Sequence, residues 1–566
     1  MSDFAEFFSG DAIIRELCKA RLSIASQRHE ALFLHNIDRT KRPAEEVPIT
    51  WGDVSLEIFP PRRQWNRHRP KDRSGRGRNI ALETLLRAVR RLTKETPTAS
   101  WVGRLKATVA AIRARALDAP GFAFASPTIM PEVKDAKSHA YRPLASFPLS
   151  DRIIDCLTAR YFRTTLDHAL KESCLAFRPR RDGRHAGLDG VWAKRPVAHG
   201  GTVFVAECDI MGFYDCVAHS TARSSLGRLV ADAKSIDPDV EIDPRALEIF
   251  DSYLACYSFL RSVRGEAEPT LQSKRPKGSY PWREQQLLEL HGYGEPLDNI
   301  GVPQGGSIST LIANAVLHAA DTAVEPFVQQ QDVTYLRYCD DMILLGQDQD
   351  ACKQAFVSYC DTLKELKLPI HKPDSLKPYD GDTRKDFWRA KSKPVYPWAS
   401  PQVLNSYPWV QFLGYQIRYD GAVRVRRSSI AKESAKLATT ADKLLRVLRQ
   451  SNAPNIRRGA RSIKHRFRMK LIAMSVGRRD VGQALGEPLP NCWANGFRWL
   501  TGKLILASNL RALDRQRERQ ISRVARRLKG LELPHSAPST NQKPRKYYGH
   551  PFSYYGQFRS LRPEGD

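Results

Sequence analysis

The sequence predicts an α+β fold in which a central antiparallel sheet is flanked by helical N-terminal and C-terminal extensions. From about residue 138 to 425, short β-like runs alternate with helical runs, as expected of a sheet covered by helices. On either side, residues 11–37 and 428–450 repeat apolar side chains at helical spacing. We therefore divide the chain into a helical basic N-terminal extension (1–120), a central mixed part (121–425) and a helical basic C-terminal part (426–566).

The chain carries a large excess of positive charge. It has 90 Lys and Arg residues against 61 Asp and Glu, a net charge of +29. The tail, residues 451–566, holds 24 Lys and Arg against 7 Asp and Glu, which is a net +17. Because each phosphate that a basic side chain neutralises releases a counterion, the composition favours a nucleic-acid partner over a merely basic enzyme.

Three basic segments are candidate RNA contacts. Residues 60–79 hold nine basic residues, counting the one histidine, together with Trp65. They form either a solvated linker or an arm that orders on RNA, with the indole stacked on a base. The basic stretch 512–521 is a helix that is either buried or RNA-binding. The four tyrosines and two phenylalanines of 544–559 would either stack on bases or hold the tail against the core.

The ten cysteines show no C-x2-C pair, so the spacing of zinc fingers and zinc ribbons is absent. Scattered thiols are typical of a reducing compartment. The N-terminal stretch MSDFAEFFSGD has no signal-peptide pattern, and no run of 18 apolar residues occurs in the sequence. We expect a soluble cytoplasmic protein with no membrane partner.

Three acidic residues lie at the ends of predicted strands. Asp209 ends the apolar run 201–210, and Asp340 and Asp341 lie between the two apolar runs of 334–346. The second pattern predicts a hairpin with both carboxylates at its tip. Acids at strand ends are costly to bury unless a metal ion or another partner neutralises them, and three converging carboxylates are what a two-Mg²⁺ site requires.

Around these acids, an ordered set of short blocks resembles the reverse transcriptases of group II introns, retrons and their bacterial relatives. The blocks are 204–215 (FVAECDIMGFYD, motif A), 301–309 (GVPQGGSIS, continuing to Asn314, motif B), 338–341 (YCDD, motif C) and 412–415 (FLGY, the primer-grip motif E). Upstream, 141–144 (YRPL), 150–153 (SDRI) and 176–179 (AFRP) resemble the finger motifs. The resemblance covers roughly 140–425. It implies a right-hand polymerase fold of fingers, palm with antiparallel sheet, and helical thumb.

The resemblance implies an RNA-directed DNA polymerase that adds dNTPs to a 3′-hydroxyl on an RNA template, with DNA as the product. Two Mg²⁺ ions would be held by Asp209 and Asp340, with the carbonyl of Ile210 completing one shell and Asp341 beside them. Mn²⁺ is an acceptable substitute. In motif E, Leu413 and Gly414 would grip the primer.

The resemblance also implies the residues of the dNTP pocket. Tyr214, beside Phe213, matches the aromatic gate whose ring excludes a 2′-hydroxyl, and ordinary packing of the ring is the alternative. Gln304 would line the pocket of nucleotide and template, in a loop whose glycines let the backbone approach the nascent base pair. Arg178 would pair with the triphosphate through its planar fork, and Arg142 would be a second contact or grip template phosphate.

Other positions are less regular. Lys372, between His371 and Pro373, lies where motif D places a lysine that protonates the leaving pyrophosphate, and a solvated side chain is the alternative. Cys339 stands where the family commonly has alanine, and this small residue should not impair the chemistry. Thr310 replaces a frequent proline and would reshape only the start of the helix that follows.

The chain departs from mobile-intron enzymes in ways that change its expected role. Its tail has one cysteine, Cys492, and therefore lacks the zinc-dependent HNH endonuclease, and it shows no acidic cluster of an RNase H domain. With its long N-terminal extension and basic tail, the chain resembles the defence-associated ("unknown group") reverse transcriptases. We expect an antiviral enzyme that acts against phage and copies a dedicated noncoding RNA.

Two other functions stay open. The chain would be a protein-primed or untemplated DNA polymerase of a defence system, or a maturase-like RNA-binding protein whose polymerase fold is only a scaffold. The intact carboxylates and motif B argue against a scaffold, which does not need them. A homo-oligomer is compatible with the sequence.

Overall fold

A computed structural model describes most of the chain, namely residues 3–35, 57–70, 79–118, 121–135, 138–178, 183–273, 277–373, 384–450, 459–476, 493, 497 and 508–531. The chain divides into two compact units. The first lies within 1–20, 50–64 and 86–413, and the second lies within 21–49, 65–85 and 414–566. Residues 86–118 thus group with the central part, and 414–425 group with the C-terminal part.

The strands are short and most of them lie in the first unit. They are β1 (Thr128–Asp135), β2 (Ala140–Ser146), β3 (Val203–Cys208), β4 (Thr334–Tyr338), β5 (Asp341–Gly346), β6 (Lys393–Trp398), β7 (Trp409–Phe412), β8 (Tyr415–Arg418) and β9 (Val423–Val425).

Helices make up the larger part of the described chain. They are α1 (Phe4–Phe7), α2 (Gly10–His35), α3 (Arg62–Trp65), α4 (Ile80–Glu95), α5 (Ser100–Leu117), α6 (Leu149–Leu166), α7 (Gly183–Ala193), α8 (Pro196–His199), α9 (Phe213–Cys216), α10 (His219–Ile236), α11 (Pro244–Ala255), α12 (Glu268–Gln272), α13 (Glu284–His291), α14 (Ser307–Gln330), α15 (Gln349–Glu365), α16 (Arg384–Arg389), α17 (Arg427–Gln450), α18 (Ala460–Val476) and α19 (Ser508–Lys529). A π-helical segment, Phe259–Ala267, precedes α12. Within the described part of the chain, no helix combines the length and apolar character needed to cross a membrane.

The main sheet of the first unit has the strand order β4-β5-β3-β6, and every neighbouring pair is antiparallel. Its inner strand β3 is apolar, and Val203, Val205 and Ala206 are fully buried. Because β3 is paired on both edges, most of its backbone N–H and C=O groups are satisfied where water is excluded. The α+β class and the antiparallel sheet expected from the sequence are therefore present.

Helix α14 is the central helix of the first unit. It packs against α6, α10 and α15, and most of its residues are buried. At its N-terminus the carboxylate of Asp155 accepts hydrogen bonds from the backbone N–H groups of Ser307 and Ile308, at 2.7 and 2.8 Å. These bonds satisfy two of the N–H groups that a helix leaves unpaired. The motif B loop that leads into α14 is thus fixed at its C-terminal end.

The second unit contains the predicted hairpin and the basic helices. β8 and β9 pair antiparallel around the turn at Asp420-Gly421, where Gly421 has φ +90°, so the predicted hairpin is confirmed. Helix α19 packs along α17 and α18. One face of α19 is buried, as expected if 512–521 is a buried helix. The exposed basic residues of α19 are Arg511, Arg515, Arg519, Arg526 and Lys529.

The arm proposed at 60–79 is only partly described. Trp65 is buried, and the guanidinium carbon of Arg21 lies 4.8 Å from the centre of its ring. Its indole is therefore occupied by protein contacts and is not presented to a base. Residues 71–78 and the aromatic segment 544–559 lie outside the described residues.

Candidate active site

The fold brings the predicted acids to one end of the main sheet. Asp209 follows β3 directly, and Asp340 lies in the two-residue tip that joins β4 to β5, whose first residue is Asp341. Cys208 pairs with Met342 across β3 and β5. The next position in this antiparallel register therefore places Asp209 opposite Asp341. The predicted hairpin with carboxylates at its tip is confirmed.

The tip of the β4–β5 hairpin has a constrained backbone. Tyr338 pairs with Asp341 and leaves only Cys339 and Asp340 in the turn, and Cys339 has φ +61°. A side chain in this left-handed region carries a steric cost, so the surrounding structure must hold it there. The guanidinium of Arg337 does so in part, by donating a hydrogen bond to the Cys339 carbonyl at 3.0 Å.

Arg337 belongs to a buried network beneath the tip. Its Nε and Nη2 donate to the two carboxylate oxygens of Asp321 on α14, at 2.6 and 2.5 Å. The hydroxyl of Tyr335 donates to the same carboxylate at 2.7 Å. Both charged side chains are 0% exposed. A bidentate pair in this setting fixes the angle between α14 and the hairpin as well as the tip itself.

The acids influence one another. Burial raises the pKa of Asp340, and the negative charge of Asp209 raises it further. Two carboxylates from distant parts of the sequence therefore share one small region and repel each other. Such a pair favours binding of a cation.

Asp209 is held by groups that the sequence analysis did not single out. Its carboxylate lies 3.5 Å from both the imidazole Nε2 of His371 and the ammonium of Lys391. Its backbone N–H donates to the hydroxyl of Ser392 at 3.0 Å, and its carbonyl accepts from the N–H of His371 at 3.0 Å. Burial lowers the pKa of His371, the charge of Asp209 opposes this shift, and the positive charge of Lys391 adds to it.

Hydrogen bonds between residues 209–211 and 369–371 also orient the backbone of Ile210. Met211 donates its N–H to the Pro369 carbonyl at 2.8 Å, and His371 donates to the Asp209 carbonyl. Ile210 lies between these two bonds as the pair of Ile370. In this antiparallel pattern the N–H and C=O of Ile210 point away from residues 369–371, so its carbonyl is available on the other side.

The donor chemistry of the site suits a hard divalent cation. Among the described residues, no three His, Cys, Asp or Glu side chains are gathered closely enough to hold a metal ion by themselves. Mg²⁺ is commonly bound through one or two carboxylates together with the phosphates of a substrate. Asp209, Asp340 and the Ile210 carbonyl offer such oxygen donors, while Asp341 is exposed beside them.

Tyr214 contacts the same hairpin tip. Its hydroxyl lies 3.5 Å from the sulfur of Cys339, and its ring meets that of Phe213 edge-on, with the centroids 5.3 Å apart. Burial raises the pKa of Tyr214 well above its usual range. Phe213 is buried and packs beneath Tyr214, so Phe213 supports the ring and is not itself presented to a nucleotide.

Gln304 is held from both its backbone and its side chain. Its carbonyl accepts the N–H of Ala145 at 2.8 Å, and its amide nitrogen donates to the carboxylate of Asp215 at 2.6 Å. Asp215 is buried, and burial raises its pKa to about 7, although the Gln304 amide and the charges of Lys134 and Arg142 favour the ionised form. One of the two N–H groups of the Gln304 amide is thus engaged, and this bond orients the side chain.

The elevated pKa of Asp215 predicts that the stability difference between the wild type and Asp215→Asn depends on pH. A carboxyl whose pKa rises from about 3.9 in the unfolded chain contributes stability that is complete below about pH 4. That contribution is lost as the pH rises through about 7, the folded value. Asp215→Asn cannot ionise, so its melting temperature relative to that of the wild type should be higher at pH 8 than at pH 5. A difference that does not change with pH would contradict this account.

The glycines of motif B serve packing within the protein. A methyl group at Gly306 would overlap with the hydroxyl of Tyr253, a buried side chain. That hydroxyl is fixed by Ser309, whose oxygen lies 2.8 Å away. Gly305 has φ +109°, which side chains rarely adopt. In the protein without nucleic acid, the group that lies close to Gly306 is the side chain of Tyr253 and not a base pair.

Gly306→Ala is therefore expected to be strongly destabilising. Inserting a carbon into a packed core costs about 1–3 kcal/mol, and here the obstacle is a hydrogen-bonded ring that cannot easily move. The matched control is Gly227→Ala, because nothing lies within 4 Å of the added carbon in α10. This change should be neutral or stabilising by up to about 1 kcal/mol. Urea unfolding of the two variants measures both effects, and equal free energies of unfolding would refute the packing role of Gly306.

The structure gives Arg178 a different role from the one predicted. All five N–H groups of its guanidinium donate within the protein, to the Asp167 carboxylate and to the backbone carbonyls of Asp167, Lys171 and Cys174. Its side chain is 3% exposed. The predicted contact between Arg178 and a triphosphate does not fit this arrangement, because no donor is left to make it. Arg178 instead braces the turn that follows α6.

The other predicted contacts are exposed or lie in a turn. Arg142 on β2 is exposed, and its charge reaches Asp215 and Asp340. Lys372 is exposed, as in the solvated alternative, and its neighbour His371 is the residue that contacts Asp209. Leu413 and Gly414 have φ +48° and +87°, which defines a tight turn between β7 and β8. These roles in nucleotide and primer binding stay predictions.

Comparison with known proteins finds only weak structural matches. No protein-family model matches the chain, and no curated protein matches its sequence. Among solved structures, apo telomerase from Candida tropicalis truncated from its C-terminal domain aligns with a TM-score of 0.33 at 12% identity, over 55% of this chain and 56% of that one. The structure of apo telomerase from the same organism aligns with a TM-score of 0.33 at 11% identity, over 79% of this chain and 73% of that one.

Telomerase from Candida albicans, in complex with a TWJ fragment of telomeric RNA, aligns with a TM-score of 0.27 at 11% identity, over 68% of this chain and 59% of that one. This chain thus spans little more than half the length of two of the three structures. Because all three TM-scores lie below 0.5, a function for this chain has to be sought in its own residues.

Proposed function

We propose that the chain is an RNA-directed DNA polymerase, a reverse transcriptase. The observation that carries the proposal is the meeting of Asp209, at the end of β3, with Asp340, in the tip of the adjacent hairpin, where the charge of one raises the pKa of the other. Tyr214 touches the same tip, at Cys339. These contacts support one site that combines the acids with the proposed aromatic gate, as addition of a dNTP to a 3′-hydroxyl requires.

Within this proposal, Asp209 and Asp340 hold two Mg²⁺ ions, for which Mn²⁺ substitutes, with the Ile210 carbonyl as a further donor and Asp341 beside them. When bound, the metal lowers the pKa of the 3′-hydroxyl and balances the charge of the triphosphate. The protein positions the acids, since Ser392 and His371 fix the backbone of Asp209. Arg337 fixes the tip that carries Asp340.

We further propose that the template is a dedicated noncoding RNA and that the enzyme acts in the cytoplasm in defence against phage. The net charge of +29 and the exposed basic residues of α19 offer phosphate contacts for such an RNA. The defence role rests on the resemblance of the long N-terminal extension and the basic tail to those of the defence-associated enzymes.

The proposal is tested with purified protein and the RNA that co-purifies with it. Labelled dNTPs with Mg²⁺ should yield DNA whose sequence is complementary to that RNA, and prior digestion with ribonuclease should abolish the product. Incorporation that survives ribonuclease would indicate an untemplated enzyme. RNA binding without any incorporation would indicate an RNA-binding protein in which the site is unused. Either result would refute the proposal.

Tyr214→Ala is expected to weaken discrimination against ribonucleotides. The ring of Tyr214 is fixed between Phe213 and Cys339, so it can exclude a 2′-hydroxyl only if it stays in place. Removing it should lower the ratio of kcat/KM for dNTP over rNTP by roughly 10- to 100-fold, the range in which a pocket rejects an added group by shape. Tyr214→Phe keeps the ring and should preserve the ratio. An unchanged ratio in the alanine variant would leave Tyr214 with a packing role only.

A further inference from the structure

The segment 277–283 is anchored beside the candidate site at two points. At one end, Tyr141 donates its N–H to the Ser279 carbonyl at 2.9 Å, and Ser279 donates to the His139 carbonyl at 3.1 Å. At the other end, the buried indole of Trp282 donates to the carbonyl of Asp215 at 2.8 Å. The segment therefore runs from the start of β2, next to Arg142, to the motif A block.

Packing fixes this path. The indole of Trp282 stacks on the ring of Phe259, with the centroids 4.8 Å apart and the planes 13° from parallel. A side chain on Gly278 would collide with the ring of Tyr141, so the segment lies close against β2. The backbone of Arg283, the residue after Trp282, is thus held near the motif A block by a rigid neighbour and not by a loose loop.

Arg283 joins two other basic residues, Lys134 and Arg142, whose charges reach the buried carboxylate of Asp215. Among the described residues, the side chains of Lys134, Arg142 and Arg283 make no ion pair and no hydrogen bond. Desolvation lowers the pKa of Lys134, the charge of Asp215 opposes this shift, and the positive charges of Arg142 and Arg283 add to it. Gathering like charges costs free energy unless an anion balances them.

The contact of Trp282 also places Arg283 near the acids. The carbonyl that Trp282 contacts belongs to Asp215, in helix α9, which begins four residues after Asp209. An anion held by Arg283 would therefore lie near the site where Asp209 and Asp340 meet.

We propose that Arg283 contacts the triphosphate of the incoming nucleotide, and completes with Lys134 and Arg142 a polyanion site beside Asp209. This inference rests on the proposed polymerase function. A triphosphate concentrates several negative charges within a few ångströms, as three clustered cations require, whereas backbone phosphates of a nucleic acid lie singly along the strand. The planar guanidinium of Arg283 can bind two phosphate oxygens at once.

The test is steady-state incorporation of one dNTP by Arg283→Gln. The KM for the dNTP and the inhibition constant of inorganic pyrophosphate should each rise roughly tenfold or more, as expected for the loss of a charged hydrogen bond, while kcat changes by less than about threefold. Arg283→Lys should recover part of the loss. Trp282→Phe keeps the stacking and loses the bond to Asp215, so it should shift KM in the same direction by less.

The control is Arg228→Gln, which removes an exposed arginine of α10 and should leave KM unchanged. An unchanged KM in Arg283→Gln overturns the inference. If this variant also binds template and primer more weakly, Arg283 contacts the phosphates of the nucleic acid instead. Calorimetric titration with inorganic tripolyphosphate, in the absence of metal, separates this inference from the proposed function. Weaker binding by Arg283→Gln than by Arg228→Gln supports the polyanion site even if the wild type incorporates no dNTP, and equal binding refutes it.

Discussion

The double change Asp340→Ala, Asp341→Ala is expected to reduce dNTP incorporation by at least about 1,000-fold, because metal-held charge contributes several kcal/mol to such a transition state. The variant should nevertheless fold. Asp340 is desolvated and faces the like charge of Asp209, which raises its pKa. Removing it relieves that repulsion, so the melting temperature should be equal to that of the wild type or higher.

The matched control removes two acids that lie outside the site. Asp350 and Asp361 are exposed on α15, and the double change Asp350→Ala, Asp361→Ala should leave both incorporation and melting temperature within error of the wild type. RNA binding, measured by filter retention, should be the same for both double variants. A large fall in melting temperature for the Asp340, Asp341 variant would mean that the acids stabilise the fold. The loss of incorporation would then be explained by unfolding, which would contradict the expected catalytic role.

Asp321→Ala is expected to be the most destabilising of the changes considered. It leaves the guanidinium of Arg337, which is 0% exposed, without its counterion. Breaking a buried pair in this way costs about 3–5 kcal/mol, since the remaining charge has neither water nor a counterion. Replacing both residues, as Asp321→Leu with Arg337→Met, should cost much less than the single change, because no charge remains buried.

The Asp321 prediction has an internal control in the same unit. Arg223 and Asp251 form a pair at 2.6 Å in which both side chains are about half exposed. Asp251→Ala should change the free energy of unfolding by less than about 1 kcal/mol, as surface pairs do. Urea unfolding measures all four proteins. If the double replacement of Asp321 and Arg337 were as unstable as Asp321→Ala alone, burial of an unpaired charge would not be the cause.

The sheet and the acids could be predicted because local patterns encode them. Apolar runs on both sides of Asp340 and Asp341 specify a hairpin, and an apolar run before Asp209 specifies a strand that ends there. What the sequence cannot show is which distant group satisfies a given side chain. Arg178 has the right identity and position for a phosphate contact, yet Asp167 lies close enough in the fold to occupy it.

The same reason explains the residues that were missed. His371, Lys391 and Ser392 contact Asp209, although Lys391 and Ser392 are more than 180 residues away in the sequence, and no spacing rule connects them to it. The sequence gives one signal for Arg337, because it is a lone basic residue within the otherwise apolar strand β4. A buried charge in a strand predicts a partner, but the choice of Asp321 depends on how α14 packs.

Sequencing the nucleic acids that co-purify with the wild type and with the Asp340→Ala, Asp341→Ala variant tests the central claim most directly. If Asp209 and Asp340 form a polymerase centre that copies RNA, both proteins should carry the same RNA, and only the wild type should carry DNA complementary to it. Complementary DNA present in equal amounts on both proteins would contradict the claim.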